Sequence, residues 1–588
     1  MTDAVHDAPS GPSSGTILRV PESLRPTVEG TLQKAVSEGW AGRIWARDTS
    51  LWTADQRVAA TISERLGWLD APSRFQDDAA ELDAFGRAIA EGGFETAIVC
   101  GMGGSSLAPE VLSQAFPRSE HGLDVLVLDS TDPDAVSAVT DPDADAGVVH
   151  VIATKSGTTT ETLAYLAHFW ELAEHRSGLL GRGHAGDSFV AVTDPEDSLR
   201  AIPHSDMFRE VFLNPADVGG RYSALTYVGL VPGALQGLDL AELLADGELM
   251  AARCRMDEEA NPGLALGVAM GALAVAGRDK LTLVLEPDLA AFGAWVEQLI
   301  AESTGKQGVG IVPVDGEPLA DPAAYGDDRV FVRLGREDSA EWRTATDAGL
   351  DALAAAGHPV IDLVLRGGEW LGGEFFRWEF ATAVAGIVLG VNPFDEPNVT
   401  ESKENTKVVL ERYRHEGALP AEAPLAAEGR LRLVGDAALR LTIADGSVSG
   451  ELRRHLDRAR PNGYHAIQAY MAPTDERTEA LRGIQALLRD RTRRATTLGY
   501  GPRYLHSTGQ LHKGGPRTGC FLQLVCDHPD DLPIPGRKET FGTLIDAQAL
   551  GDFASLQSHE LPVLRVHLSD DPDAGLTELR AALEKALS

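Results

Sequence analysis

At 588 residues the chain exceeds what one hydrophobic core supports, so two or more domains are expected. Its hydrophobic fraction of 43% suits globular burial, while 52 basic against 88 acidic residues leave a net charge of −36. That balance excludes sequence-independent binding to nucleic acid or to an anionic membrane, each of which needs a basic face. A small anionic ligand stays open, because it responds to local groups. The first residues, MTDAVHDAPSGPSSG, carry no basic or apolar leader, and residues 1–16 read as a disordered tail. Residues 17–90 are expected to be largely helical. Over 91–250, strands are predicted at ETAIVC (95–100), DVLVLD (124–129), VVHVIA (148–153) and SFVAVT (188–193), with amphipathic stretches such as SLAPEVLSQAF and TLAYLAHFWELAEH between them. Such alternation means βαβ units and a parallel sheet covered on both faces.

A second set of the same kind spans 251–415: a core helix at 262–277, LTLVLEP (281–287), a helix around AFGAWVEQLIAEST, RVFVRL (329–334), PVIDLVL (359–365) and the helix FRWEFATAVAGIVLGV. EGALPAEAPLAAEG (416–429) has linker composition. A smaller α/β region over 430–588 holds YHAIQAYMAP (464–473), a helix at 475–494, CFLQLVC (520–526) and LPVLRVHL (561–568). No apolar stretch reaches the ~18–20 residues of a membrane span. Cys100, Cys254, Cys520 and Cys526 form no CxxC pair and read as buried thiols in a reducing, cytoplasmic compartment. No cluster has metal-ligand spacing, and no metal or cofactor is expected.

Two strand-to-helix loops carry the chemistry. In GMGGSS, glycines 101, 103 and 104 allow a tight turn that bares amide N–H groups, and Ser105 and Ser106 stand at a helix start, where an anion is favoured. The third glycine of a dinucleotide fingerprint is missing and no GK[ST] follows, so neither a Rossmann nor a P-loop signature is present. The second loop, TKSGTTTET (154–162), holds six hydroxyl residues and Lys155. One or two hydroxyls would cap a helix; six call for a ligand with several acceptor oxygens, and a phosphate monoester fits.

The pair GMGGSS and TKSGTTTET resembles the double signature of the sugar isomerase (SIS) fold. Three further stretches, VGGRYSALTYVGLVP (218–232), WVEQLIAESTGKQGVGIVPV (295–314) and VNPFDEPNVTESK (391–403), are similar to the phosphoglucose isomerase family over about residues 90–405. The tail, with HSTGQLHKGGPRTGCFLQL (506–524), resembles the isomerase half of transaldolase–isomerase fusion proteins, though no ~250-residue barrel precedes it. The resemblance implies two doubly wound parallel-sheet SIS subdomains with an additional, smaller C-terminal α/β region that completes the fold.

It also implies roles. Ser105, Thr154, Lys155, Ser156 and Thr159 would hold the phosphate, with Gly104 and Gly220 close to the sugar. Arg221 would face the enediolate oxygen, Glu302 would carry a proton between C2 and C1, and Lys403 would lie near the ring oxygen. Glu396 stands where the family has Gln, so a carboxylate would face groups it should repel. The ring-opening histidine departs from the family order. Between Glu302 and Lys403 only His358 occurs, in a structural setting, whereas His506, in HSTGQ, matches the shorter bacterial isomerases. His512 is the weaker candidate in that loop. The family's histidine commonly crosses a dimer interface, which implies a homodimer with shared active sites. The implied activity is reversible isomerisation of glucose 6-phosphate and fructose 6-phosphate through a cis-enediol, in glycolysis and gluconeogenesis. A non-catalytic sugar-phosphate sensor and a dual phosphoglucose/phosphomannose isomerase stay open as alternatives. Burial of the Glu302 carboxyl would lift its pKa toward ~6–7, as a general base working near neutrality requires.

Overall fold

The computed structural model describes residues 15–140, 147–180, 183–365, 371–420, 423–442 and 446–588. The expected disordered tail thus lies almost wholly outside the described residues, as do residues 421–422 of the expected linker. The chain enters as strand β1 (Gly15–Arg19), followed by helices between Arg25 and Glu91. β2 (Thr96–Cys100), β3 (Asp124–Leu128), β4 (Val148–Ala153), β5 (Phe189–Thr193) and β6 (Glu210–Leu213) then form a wholly parallel sheet in the order β3-β2-β4-β5-β6. The central strands β2, β4 and β5 are buried almost end to end, as strands covered on both faces must be. The chain reverses its direction of winding between β2 and β4. In open α/β sheets the crevice at the carboxyl ends of such a pair is where ligands bind. GMGGSS leaves β2 there, and TKSGTTTET leaves β4.

The second sheet contains β7 (Lys280–Leu285), β8 (Val312–Val314), β9 (Arg329–Arg336) and β10 (Val360–Leu365), all parallel, with β1 antiparallel on the edge beside β10. The helix Pro262–Val275 packs on the helix Leu371–Leu389. Glycines 263, 267 and 271, one turn apart, face Phe380, the Ala381 carbonyl and Val388 so closely that a methyl group would collide. Beside this pair runs the helix Ala290–Thr304, buried along nearly its whole length.

The third sheet is built from β11 (Ala426–Glu428), β12 (Leu431–Gly435), β13 (Tyr464–Tyr470), β14 (Ala495–Tyr500), β15 (Gly519–Val525) and β16 (Val563–His567), in the order β11-β12-β16-β15-β13-β14. β13 to β16 are parallel, while β11 and β12 are antiparallel additions. The α/β architecture expected from the sequence is therefore present, although the region read as smaller carries six strands against five in each other sheet. Part of the stretch read as linker is β11, an edge strand held by backbone pairing that leaves no mark on composition. All four cysteines are buried and free. No helix among the described residues is long and apolar enough to cross a membrane.

Candidate active site

Three loops, each leaving the carboxyl end of a parallel strand, meet in one place. The loop after β2 turns at Gly103, in the left-handed region at φ 54°. A side chain there would run into the His506 carbonyl and the Gln298 amide, and one at Gly104 would fall 2.3 Å from the Gly220 carbonyl carbon. The glycines let this loop lie flat between the turn at 219–222 and the segment after β14. Gly220 and Gly104 thus meet back to back.

The loop after β4 opens into a cavity of about 480 Å³, lined by Ser156, Thr158, Thr159 and Thr160 on one side and by Lys403, Lys407 and His506 on others. The six hydroxyls divide. Those of Ser156, Thr158, Thr159 and Thr160 border the cavity, while Thr154 and Thr162 are buried in the loop's support. Thr154 and Thr159 share a hydrogen bond of 3.1 Å, as Ser156 and Thr158 do at 2.9 Å. Ser105, Thr154 and Lys155 do not line the cavity. The Lys155 ammonium is turned onto Asp194 at 2.6 Å and onto the carbonyls of Ala216 and Val218 at 3.3 and 3.0 Å. Its charge braces the loop against the segment after β6.

Glu302 lies near the end of the helix Ala290–Thr304 and is 6% exposed. One turn earlier, the Gln298 amide donates both to its Oε2 (3.0 Å) and to the His506 carbonyl (2.6 Å). Facing it, the buried Arg221 guanidinium donates to Ser303 Oγ at 2.7 Å, to the carbonyls of Pro393 and Asp395 at 2.8 and 2.9 Å, and to Glu396 Oε2 at 3.1 Å. The same Nη1 lies 3.4 Å from Glu302 Oε1. Burial raises the Glu302 pKa; Arg221 pulls it back and the Glu396 charge adds to the rise. For Arg221, burial works against the charged form, but Glu302 and Glu396 outweigh it and the pKa is raised. Glu396, which begins the helix Pro397–Glu416, therefore meets an arginine rather than a bare hydroxyl or phosphate, sharing that cation with Glu302.

His506 closes the segment Arg503–His506 after β14. Its Nε2 is 3.1 Å from Glu161 Oε1, and Gln548 Nε2 donates to that same oxygen at 2.6 Å. Burial would raise the Glu161 pKa, yet the charge and hydrogen bond of His506 outweigh it and hold it low. Two anchors fix the segment. Arg503 donates to Asp129 at 2.5 Å and pairs with Glu110. Gln510 takes the Asn398 N–H at 2.7 Å and gives its amide to the Gly305 carbonyl at 3.0 Å. The other two histidines stand apart. His512 is buried with Nδ1 2.8 Å from the Tyr464 hydroxyl, and burial pushes its pKa down to about 3. His358 is buried edge-on to Tyr325 and Phe331. Lys403 is exposed, on the helix that walls the cavity.

Sequence reasoning missed several members of this cluster. Gln298 sits one helical turn before Glu302, a spacing that itself signals contact. Glu161 lies inside TKSGTTTET, where the hydroxyls drew attention away from it. Lys306, in AESTGK, is buried with its ammonium on Asp395 Oδ1 at 2.7 Å and on the carbonyls of Asn392 and Asp395. Burial, then the nearby Arg221 charge, bring its pKa down to about 8. Away from this site, Asp132, Cys526 and His528 bring ligand-type atoms within 4.8 Å of one another. The imidazole there is already shared between Asp132 (3.5 Å) and Asp546 (3.8 Å).

Comparison with known proteins gives a consistent result. A profile of the phosphoglucose isomerase family matches residues 84–321. A glucose-6-phosphate isomerase of Rubrobacter xylanophilus is 31% identical over 399 residues, covering 59% of this chain and 90% of its own length. One of Symbiobacterium thermophilum is 30% identical over 393 residues, covering 58% and 86%. Among solved structures, a hypothetical protein of Thermus thermophilus superposes with a TM-score of 0.55 at 25% identity, over 68% of this chain and all of its own. A glucose-6-phosphate isomerase of Chlamydia trachomatis shares the fold, with a TM-score of 0.50 at 21% identity over 67% and 86% of the two chains.

Proposed function

The chain belongs to the phosphoglucose isomerase family, and from that premise we propose that it interconverts glucose 6-phosphate and fructose 6-phosphate, the reaction that opens and closes the hexose end of glycolysis and gluconeogenesis. The observation that carries this reading is the pairing of a buried carboxylate of raised pKa, Glu302, with a fixed guanidinium, Arg221, at 3.4 Å. A sensor of sugar phosphates needs a cradle but no base, and would gain nothing from that pair.

The steps follow from the groups present. The hydroxyls of Ser156 and Thr159, backed by Ser105, Thr154 and the Lys155 backbone, hold the phosphate at the helix start, where the amide dipoles favour an anion. His506, polarised by Glu161, exchanges the proton that opens the pyranose ring, with Lys403 beside the ring oxygen. The Glu302 carboxylate then removes the proton on C2 and returns it to C1. Negative charge that develops on the carbonyl oxygen meets Arg221, which is already oriented and needs no reorganisation. The close approach of Gly104 to Gly220 sets the loop after β2 against the turn that carries Arg221. The contacts of His506 with Gln298 and Glu161 of its own chain favour a histidine that acts on the site of its own subunit. The distances that support this are 2.6 and 3.1 Å. Fructose 6-phosphate offered to the purified protein, with glucose 6-phosphate detected by a coupled dehydrogenase, tests the reading. Turnover is expected, and a folded protein that produces none would refute it.

A further inference from the structure

Phosphate recognition in water-exposed cavities ordinarily rests on a cation as well as on hydroxyls, and planar guanidinium is best matched to it because two N–H groups can meet two oxygens. The lysine of the phosphate loop is engaged by Asp194 and two carbonyls. The lining that holds the threonines also includes Arg537, from the turn that carries Arg537, Lys538 and Glu539 and is closed by the bridge between Pro533 and Thr540. It is rigidly based: Ile534 and Phe541 are buried in a core shared with Tyr165 and Leu410, from the two helices that wall the cavity.

The three charged residues of this turn have different fates. Glu539 is fully taken by Arg414, whose Nη2 and Nε donate to its two oxygens at 2.6 and 3.2 Å. Lys538 donates to the Arg414 carbonyl at 3.3 Å. Arg537 alone has no side-chain hydrogen bond or ion pair among the described residues, although it is half-buried and lines the cavity with Ser156, Thr158 and Thr159. Two of the three thus pin the turn to the helix Pro397–Glu416, and the third is left in the lining of the cavity that the hydroxyls share. Burial works against the Arg537 charge, and the charges of Glu539 and Glu161 offset only part of that cost, which an anion joining it would relieve.

From this arrangement we infer that the Arg537 guanidinium is the principal cationic partner of the substrate phosphate, a role for which the Lys155 ammonium is not free. The inference rests on the isomerase reading above for the identity of the anion. It adds a contact from residues beyond the 84–321 span that matches the family profile, and it makes the C-terminal region part of substrate binding as well as the source of His506.

The test uses the full-length protein with Arg537→Ala and Arg537→Lys, and inorganic phosphate as a second probe. In Arg537→Ala, KM for fructose 6-phosphate should rise about 10- to 100-fold, the range for losing a charged hydrogen-bond partner. The inhibition constant of phosphate should rise in parallel, while kcat falls far less than KM rises. Arg537→Lys, which keeps the charge without the planar fork, should recover part of both affinities. Unchanged KM and phosphate affinity in Arg537→Ala would overturn the inference, as would a collapse of kcat with phosphate affinity intact or no recovery with lysine. Calorimetry reads the same loss of phosphate affinity independently of turnover. A wild type that binds phosphate through Arg537 yet isomerises nothing would sink the proposed reaction and leave this contact standing.

Discussion

The two halves of the site are built on opposite plans. Around Glu302, every charge already has its counter-charge: Arg221 lies between Glu302 and Glu396, and Lys306 is held by Asp395 and two carbonyls. Around the cavity beside β4, by contrast, Lys403 and Arg537 have no ion-pair partner among the described residues. The difference matches the role proposed above for each half. A proton-transfer centre must be oriented before the substrate arrives, so its electrostatics are settled in advance. A binding cavity gains affinity from groups that become satisfied only when the ligand fills it.

The comparison can be broken at its strongest point first. Glu302→Gln keeps the shape and the Gln298 contact but removes the base, and kcat should fall at least about 10²- to 10⁴-fold with KM little changed. The sign of the accompanying stability change guards against a trivial explanation. A carboxyl whose folded pKa lies above its unfolded value loses stability as pH rises through that window, so the glutamine variant should melt at or above the wild-type temperature at neutral pH. Next, His506→Ala should slow the ring-closed substrate far more than the small open-chain fraction, a difference visible by comparing the initial burst with the steady rate. Equal slowing of both would remove His506 from ring opening.

Lys155→Ala sharpens the contrast between the halves. Since its ammonium braces Asp194 across a partly exposed pair, the expected cost is about 1 kcal/mol or less and a drop of about one degree in Tm. Its effect on KM should be smaller than that of Arg537→Ala. The smallest change is expected from Glu396→Gln. Removing that negative charge from beside the shared guanidinium lowers the Glu302 pKa, so the acid limb of kcat/KM should move to lower pH. A shift to higher pH would show that Glu396 acts chiefly by holding Arg221 in place.

The sequence made the central strands legible because burial on both faces leaves continuous apolar runs, and VVHVIA coincides with β4 residue for residue. Of the edge strands, β3 was read but β6 and β11 escaped. β6 is short and half-exposed, and β11 reads Ala-Ala-Glu, so pairing rather than side-chain character makes them strands. At the candidate site, compact motifs named Glu302 and Arg221, which the fold sets 3.4 Å apart. What could not be read was how charge is shared across the fold. Nothing local to Lys155 announces Asp194, and nothing in the run RKE at 537–539 distinguishes the one residue left unpaired from the two that are bound. Those are long-range facts, set by which helices and turns the third sheet brings against the first.

The most direct test of the account follows hydrogen itself. Isomerisation run in deuterium oxide and read by NMR should place solvent deuterium on C1 of fructose 6-phosphate and C2 of glucose 6-phosphate with the wild-type protein, at a rate that collapses in Glu302→Gln. Exchange at the wild-type rate in that variant would contradict the assignment of the carboxylate, and with it the mechanism built around it.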